Sequence, residues 1–500
     1  MNRRKFIQGT LAAAGATALP TGQALAAIYQ ALTQVVTDVD ALSGAGEQVS
    51  LQKSLVQEFS DSLRGRLLLP GNEGYDTARR VINGSIDKHP ALIAQCKGAA
   101  DVSQSVSFAR EHGLLLAVKC GGHSFSGKST CDGGMMIDLS PLQGVRVDPA
   151  ARTAWVAGGS LLGSMDEETM GFGLVTTAGT VSHTGVGGLT LGGGFGRVGR
   201  RFGLALDNVI SVDIITADGE FRRANKDENR DLYWGVRGGG GNFGVVTAFE
   251  FQLHPMQRQV IGGEIVFPIE QARNVLKFYA DYSASAPDDL YLDLTMGKST
   301  AADKSFILMH ACYSGPESEA EKVLAPLRKA GTPIKDGIKA VDYVEIQKSW
   351  DSSDPRAVGQ YLKSGFTAGI SDALVDRLVD GMQADAGRET LVFFQHSGGA
   401  IGRVPADATA FPNRDAQHNM FALVSWDPAI DPSTHINYIR QYWNTLAPFT
   451  NGWYTNDQAD QTDRKVRANY KGNYDRLVQV KNVYDPTNLF RRNANVTPTT

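Results

Sequence analysis

The sequence predicts an α+β protein of two or more domains, on three observations. The chain has 500 residues, more than one ordinary hydrophobic core organises. Many of its 55 glycines lie in three stretches, 121–134, 185–203 and 235–244, which reads as loops that approach something closely, not as a flexible linker. From about Pro255 glycine thins out, and apolar runs of strand length alternate with stretches of helical spacing. That texture marks a separate α+β domain with an antiparallel sheet.

Composition narrows the class. Apolar residues make up 42% and charged residues 20%, as in a soluble globular protein, and a formal charge of −4 gives no sign of nucleic-acid binding. The N-terminus carries twin arginines, Arg3-Arg4, followed by Lys5-Phe6-Ile7, an apolar Gly/Ala-rich run and Ala24-Leu25-Ala26. This matches a Tat export signal over residues 1–26, with the Tat machinery as partner and a periplasmic or secreted product. The plain alternative is a basic cytosolic N-terminus. The run from Gly9 to Pro20 is too short and too weakly hydrophobic to span a bilayer, and no later transmembrane segment is seen. Oligomeric state is left open. The four cysteines, Cys96, Cys120, Cys131 and Cys312, fit no zinc pattern, and no metal is expected. Cys120 and Cys131 flank one loop and are a candidate disulfide. A core of this size does not need staples, so free buried thiols are the expectation.

The elements follow in order. Residues 32–63 read as a polar, partly helical lead-in. Residues 101–112 have helical spacing (Val102, Val106, Ala109) with Asp101 as N-cap. Strands are expected at 114–118, 135–139, 153–156, 209–217 and 245–253, with Asp218-Gly219 as a hairpin turn and 160–170 as a helix capped by Ser160. Beyond Pro255, helices are expected at 269–285, 317–330, 374–384 and 432–446, and strands at 290–296, 305–313, 391–394 and 420–426. A helix over 464–481 precedes Tyr484-Asp485-Pro486-Thr487-Asn488-Leu489-Phe490.

The stretch Ala117-Val118-Lys119-Cys120-Gly121-Gly122-His123-Ser124-Phe125-Ser126-Gly127 is the most informative. Two glycines after a buried strand let successive backbone N–H groups point into one concavity, which suits an anionic pyrophosphate. His123 would then sit beside whatever the phosphate carries. The plain alternative is a strand-to-turn corner with an exposed histidine. A second loop runs from Ala178 to Gly188 and on through Leu189-Thr190-Leu191-Gly192-Gly193-Gly194. A third runs from Asp231 to Val246 and holds four consecutive glycines, Gly238 to Gly241. Ordering such a run is entropically costly, so its backbone path is required. Gly194-Phe195-Gly196-Arg197-Val198-Gly199 fits the dinucleotide pattern G-x-G-x-x-G, with Glu220 about twenty residues on. It lacks a preceding strand of adequate length, and Gly203 would break the helix that must follow.

Taken in order, these loops resemble the FAD-linked oxidases of the vanillyl-alcohol-oxidase type, and the berberine-bridge-enzyme-like branch in particular. The resemblance runs from about Phe59 to Pro498. It implies a two-subdomain PCMH-type FAD-binding domain over 27–255, opened by the strand Pro90-Ala91-Leu92-Ile93. It further implies a substrate domain over 256–450 and a berberine-like segment over 451–500 that returns to the FAD domain. By the same resemblance, Lys119, Cys120, Gly121, Gly122, Ser124 and Phe125 surround the FAD pyrophosphate, and His123 is bonded to the 8-methyl carbon of the isoalloxazine. The second loop, with Gly179, Thr180, Thr184, Gly187, Gly188, Gly193 and Gly194, passes under the ring system; His183 within it reads as a contact to the FAD phosphate or ribose, or equally as a group standing behind the site. Gly244, Val245 and Val246 close the third side. Many plant members place a cysteine on the second loop for a further covalent bond. The matching residue here is Val181, so attachment through His123 alone is expected. Thr184 falls at the family's oxygen-access position and has nearly the shape of the valine that accompanies oxygen reactivity there.

The resemblance also suggests who does the chemistry. Tyr454, in Trp453-Tyr454-Thr455-Asn456, matches a tyrosine placed near the flavin, as a base or as a substrate-orienting group. It reads equally well as an interior tyrosine with a satisfied hydroxyl. Asn419 falls near the catalytic glutamate of the berberine bridge enzyme itself, and an amide cannot serve as that base. His396 and Arg414 are further candidates, His396 against a structural reading and Arg414 as a site for an acidic group or a reduced flavin. Asn456, Asn493 and Asn495 match tail residues that approach the flavin. The expectation is an exported oxidase with a single histidyl-FAD bond. It would oxidise an alcohol, sugar, amine or phenol-like molecule by hydride transfer to flavin N5, with oxygen as acceptor and hydrogen peroxide as product. A dehydrogenase serving a quinone or protein acceptor, and a flavin-binding protein without turnover, stay open.

Overall fold

The computed structural model describes residues 37–299, 304–351, 356–384, 388–457 and 462–499. The export-signal reading and the start of the lead-in lie outside the described residues. The protein is α+β, with three main sheets placed around one cavity.

A four-stranded sheet carries Arg66–Leu68, Leu92–Gln95, Met135–Asp138 and Leu116–Lys119 in that spatial order. The last three strands pair in parallel. Parallel neighbours need a crossover, and the helix Ala99–Glu111 provides it, burying Val102, Val106 and Ala109. A five-stranded antiparallel sheet follows, ordered Phe221–Asn225, Val209–Thr216, Gly244–Gln252, Thr153–Ala157, Val145–Asp148. The third is an eight-stranded antiparallel sheet that includes Gln259–Pro268, Lys304–Tyr313, Leu290–Ser299, Glu389–His396, His418–Trp426 and Gly359–Thr367. The helices Ala272–Ser285, Asp372–Ala384 and Ser433–Leu446 share one core with it through Tyr279, Leu378, Leu446 and Leu294. The helices Asp463–Tyr470 and Tyr474–Tyr484 then return to the five-stranded sheet, where Tyr470, Leu477 and Val480 join the core of Trp234, Phe243 and Phe249.

Several local expectations change. Asp101 is not an N-cap. Its helix begins at Ala99, and its carboxylate accepts N–H bonds from Arg64, Gly65 and Lys97, which ties the strand entry to the helix. Ser160 does not cap its helix either; that helix starts at Leu162, and the Ser160 hydroxyl bonds the Gly144 backbone. The expected helix over 464–481 breaks at Lys471, whose φ is +49°. The strands Gln259–Pro268 and Gly359–Thr367 were hidden by Gly262, Gly263, Gly359 and Gly365, because neighbouring strands, not propensity, hold these residues extended. All four cysteines are free. In the G-x-G-x-x-G stretch, the helix Gly199–Phe202 is only four residues long and ends at Gly203, with φ +85°. A Cβ at Gly196 would collide with the Ala178 carbonyl, so its glycine serves packing.

Candidate active site

The three glycine loops and the tail enclose a cavity of about 520 Å³ whose far side is the eight-stranded sheet. The first two loops touch backbone to backbone. A Cβ on Gly121 would collide with the Gly185 nitrogen, and one on Gly185 with the Gly121 nitrogen. Elsewhere glycine leaves room. Gly188, Gly240 and Gly241 line the cavity, and nothing lies within 4 Å of where a Cβ would stand on them.

From the first loop, Cys120, Gly121, Gly122, His123, Ser124 and Phe125 line the cavity. Lys119 does not. Strand alternation turns it away from Val118 and the cavity, and its buried ammonium donates to the Ala78 carbonyl. His123 Nε2 and His183 Nδ1 are 2.9 Å apart, so one ring donates to the other. Burial pushes His123 down to about 3 and lowers His183 too, so both rings are neutral. The pair occupies Nε2 of His123. His183 stands beside His123, and is not among the cavity-lining residues.

From the second loop, Gly179, Thr180, Thr184, Gly187 and Gly188 line the cavity, and Gly244, Val245 and Val246 do so from the third. Gly193 and Gly194 do not. They seat Tyr454 instead: the Gly194 N–H donates to its hydroxyl at 2.9 Å, and a Cβ on Gly193 would stand 2.9 Å from its ring. Asn456 Nδ2 donates to the same hydroxyl at 2.8 Å. Burial holds the Tyr454 phenol well above its usual range, so it is protonated at neutral pH. Tyr454, Asn456 and Asn493 line the cavity. Asn495 lies off it, with a buried Oδ1 that has no hydrogen-bond partner.

The cavity wall on the eight-stranded sheet follows from register. Leu391 faces Leu423, Phe393 faces Phe421, Gln395 faces Asn419 and His396 faces His418 across adjacent antiparallel strands. Side chains alternate along a strand, so Leu391, Phe393, Gln395, Phe421 and Leu423 line the cavity and His396 points to the opposite face. There its Nδ1 accepts from the Leu292 N–H, its Nε2 meets the Ser283 carbonyl, and its ring stacks on His418. The expectation of a catalytic His396 is therefore corrected: it is a buried structural histidine, held neutral by desolvation. Arg414 is corrected likewise. It makes a two-pronged ion pair with Asp207 at 2.8 Å, and it does not reach the cavity.

Asn419 sits just behind the wall. Its Nδ2 donates to Gln395 Oε1 at 3.2 Å and to Asp457 Oδ2 at 3.0 Å. Asp457 lines the cavity, and burial raises it to about 7. Sequence reasoning missed this carboxylate, although it follows directly on Tyr454-Thr455-Asn456. It also missed a cationic end. Lys128 Nζ and Arg492 Nε are buried without hydrogen-bond partners, and both residues line the cavity. Burial and the neighbouring Arg492 push Lys128 down to about 7. The Arg491-Arg492 pair ahead of Asn493 was the available signal.

Comparison with known proteins identifies the family. Residues 90–225 match the family model described as FAD binding domain, and residues 453–497 match the one described as berberine and berberine like. An FAD-linked oxidoreductase of Dictyostelium discoideum is 31% identical over 448 residues, which is 89% of this chain and 97% of that protein. The chain belongs to the berberine-bridge-enzyme-like family of FAD-linked oxidoreductases. Among other berberine-like relatives, (R)-6-hydroxynicotine oxidase of Paenarthrobacter nicotinovorans is 30% identical over 459 residues, 87% of this chain and 97% of that one. The crystal structure of 6-hydroxy-D-nicotine oxidase from Arthrobacter nicotinovorans superimposes with a TM-score of 0.79 at 28% identity, over 87% of this chain and 98% of that chain.

The cavity of this berberine-like chain fits FAD on its own terms. Glycine backbone forms its floor, where a flat ring needs close approach. Lys128 Nζ and Arg492 Nε, both buried without hydrogen-bond partners, offer donors that suit a pyrophosphate. Asn493 Oδ1, buried and unpartnered, is an acceptor turned to the same space.

Proposed function

We propose that this protein is an exported oxidase whose FAD is bonded to His123 alone and whose reduced flavin is reoxidised by oxygen to give hydrogen peroxide. The observation that carries the reading is the convergence of three glycine loops and the tail on one cavity, with His123 on its edge and a substrate wall opposite. FAD, when bound, supplies the two-electron acceptor for a hydride from an alcohol, sugar, amine or phenol-like substrate.

This chain's own residues do the rest. The His183 contact on Nε2 leaves the other ring nitrogen of His123 free for attachment, and neutrality makes it nucleophilic. Val181 lines the cavity where a second attachment would need a thiol. Thr184 is in the lining, and its small side chain supports the reading that oxygen has access to the bound cofactor. Lys128 and Arg492 hold the phosphates, while Tyr454, fixed by two donated hydrogen bonds, orients the substrate. Residues 1–26 direct Tat export of the loaded protein, so a covalent bond keeps a cofactor that could not be replaced outside.

The test uses protein recovered from fractionated cells. Holoprotein should appear in the exported fraction and be retained in the cytoplasm when Arg3→Lys and Arg4→Lys are combined. Anaerobically reduced enzyme should reoxidise within seconds in air, with one hydrogen peroxide per flavin. Reoxidation only on addition of a quinone would replace the oxidase by a dehydrogenase.

A further inference from the structure

The substrate half of the cavity is divided by polarity. Leu391, Phe393, Phe421 and Leu423 form an apolar wall in two register-matched pairs. Trp350 extends it, meeting Phe393 edge-on at 5.3 Å, and Phe393 lies 4.9 Å from Phe421. The next pair in the same register is polar, Gln395 opposite Asn419. At that end stands the Asp457 carboxylate. Its side chain accepts a hydrogen bond from Asn419. No ion pair of Asp457 is found among the described residues, and burial and Asn419 are the influences on its charge.

A buried carboxylate without a cation is costly. A saccharide would bring hydrogen bonds to that carboxylate but no charge to pair with it, and its other hydroxyls would go unpaired against leucine and phenylalanine. A protonated amine on an apolar, ring-bearing body matches both ends at once. Its charge would complete the ion pair, and its ring would stack on the aromatic wall.

We propose that the substrate is such an arylalkyl amine, with Asp457 as its counter-ion and proton acceptor and Asn419 as the residue that positions Asp457. This rests on the oxidase reading above. In the reaction, an ammonium proton passes from nitrogen to the Asp457 carboxylate. The hydride on the adjacent carbon leaves with its bonding pair to the bound FAD, the oxidant. The nitrogen lone pair closes the C=N bond, so R–CH2–NH3+ becomes R–CH=NH2+, and water then hydrolyses the iminium. Two electrons and one hydrogen nucleus reach the cofactor, and one proton reaches Asp457.

Benzylamine, benzyl alcohol and cellobiose are the probes, titrated into purified holoprotein by calorimetry, with flavin content measured separately. Benzylamine should bind at least tenfold more tightly than either neutral probe. Its affinity should rise as the pH passes upward through about 7, the value to which burial raises Asp457. Asn419, itself bonded to Gln395 on the neighbouring strand, faces Asp457 from the sheet, and Tyr454 faces it from its own segment; the amides do not titrate and Tyr454 stays protonated across this range. Asp457→Asn should weaken benzylamine about tenfold or more and leave benzyl alcohol nearly unchanged. Equal binding of cellobiose, a flat pH profile in the wild type, or unchanged benzylamine affinity in Asp457→Asn would overturn the proposal. Calorimetry reads amine binding whatever the flavin content, so protein without flavin would count against the oxidase reading and not against the amine site.

Discussion

Single residues here owe their chemistry mainly to burial. His123, His396 and His418 are all held neutral by desolvation, yet only His123 faces the cavity. Asp457 and Asp293 are both raised to about 7, and only Asp457 reaches the cavity. A shifted value therefore marks a functional group here only when geometry agrees. Asp293 shows the structural case, with its Oδ1 accepting the His396 N–H at 3.0 Å. Its folded value of about 7 exceeds the ordinary 3.8. Between those values the folded chain keeps a proton that the unfolded chain releases, so this group's contribution to stability falls as pH rises and is lost above about 7. Asp293→Asn keeps the acceptor oxygen and cannot ionise. The variant should melt several degrees above wild type at a pH of about 8, by a few kcal/mol, with the gap closing toward a pH of about 4. Thermal melts at both pH values check this.

At the scale of elements, the cavity depends on how loops and strands meet. The contact between Gly121 and Gly185 joins the first two loops without side chains. Gly121→Ala must push those backbones apart, so it should lower the flavin-to-protein ratio at least tenfold while the core of the eight-stranded sheet stays folded. Absorbance ratios and far-ultraviolet circular dichroism measure the two quantities separately. The strand pair Glu389–His396 and His418–Trp426 sets the opposite wall, because its register decides that Gln395 and not His396 sees the cavity. Much of this organisation was legible in the sequence. The strands at 114–118 and 135–139 were visible as apolar runs, and the loop glycines marked close approach. The register was not legible, since it arises from pairing between segments distant in the chain. That is why the sequence does not mark Gln395 as the cavity-facing residue beside His396, and why the partner of Arg414, Asp207, remote in the chain, is not visible in it.

Across the whole molecule, the chain closes the site with its last residues. The tail packs Tyr470, Leu477, Val480 and Val496 into the core of the five-stranded sheet. It also brings Tyr454, Asp457, Arg492 and Asn493 to the cavity. Lys481, fully buried, bonds Asp485 and the carbonyls of Asn242 and Phe490, which fixes the tail to the third loop. The family resemblance made this return legible. The cationic pair Lys128 and Arg492 was not, because its members are far apart in sequence and meet only when the tail docks on the first loop. The central claim is that His123 alone carries the FAD. Intact-protein mass spectrometry after acid denaturation tests it most directly, on wild type and on His123→Ala. Wild type should carry the added mass of one FAD and the variant none, with any flavin of the variant in the supernatant. Wild-type protein at its bare polypeptide mass, or a His123→Ala chain that still carries FAD, would contradict the account.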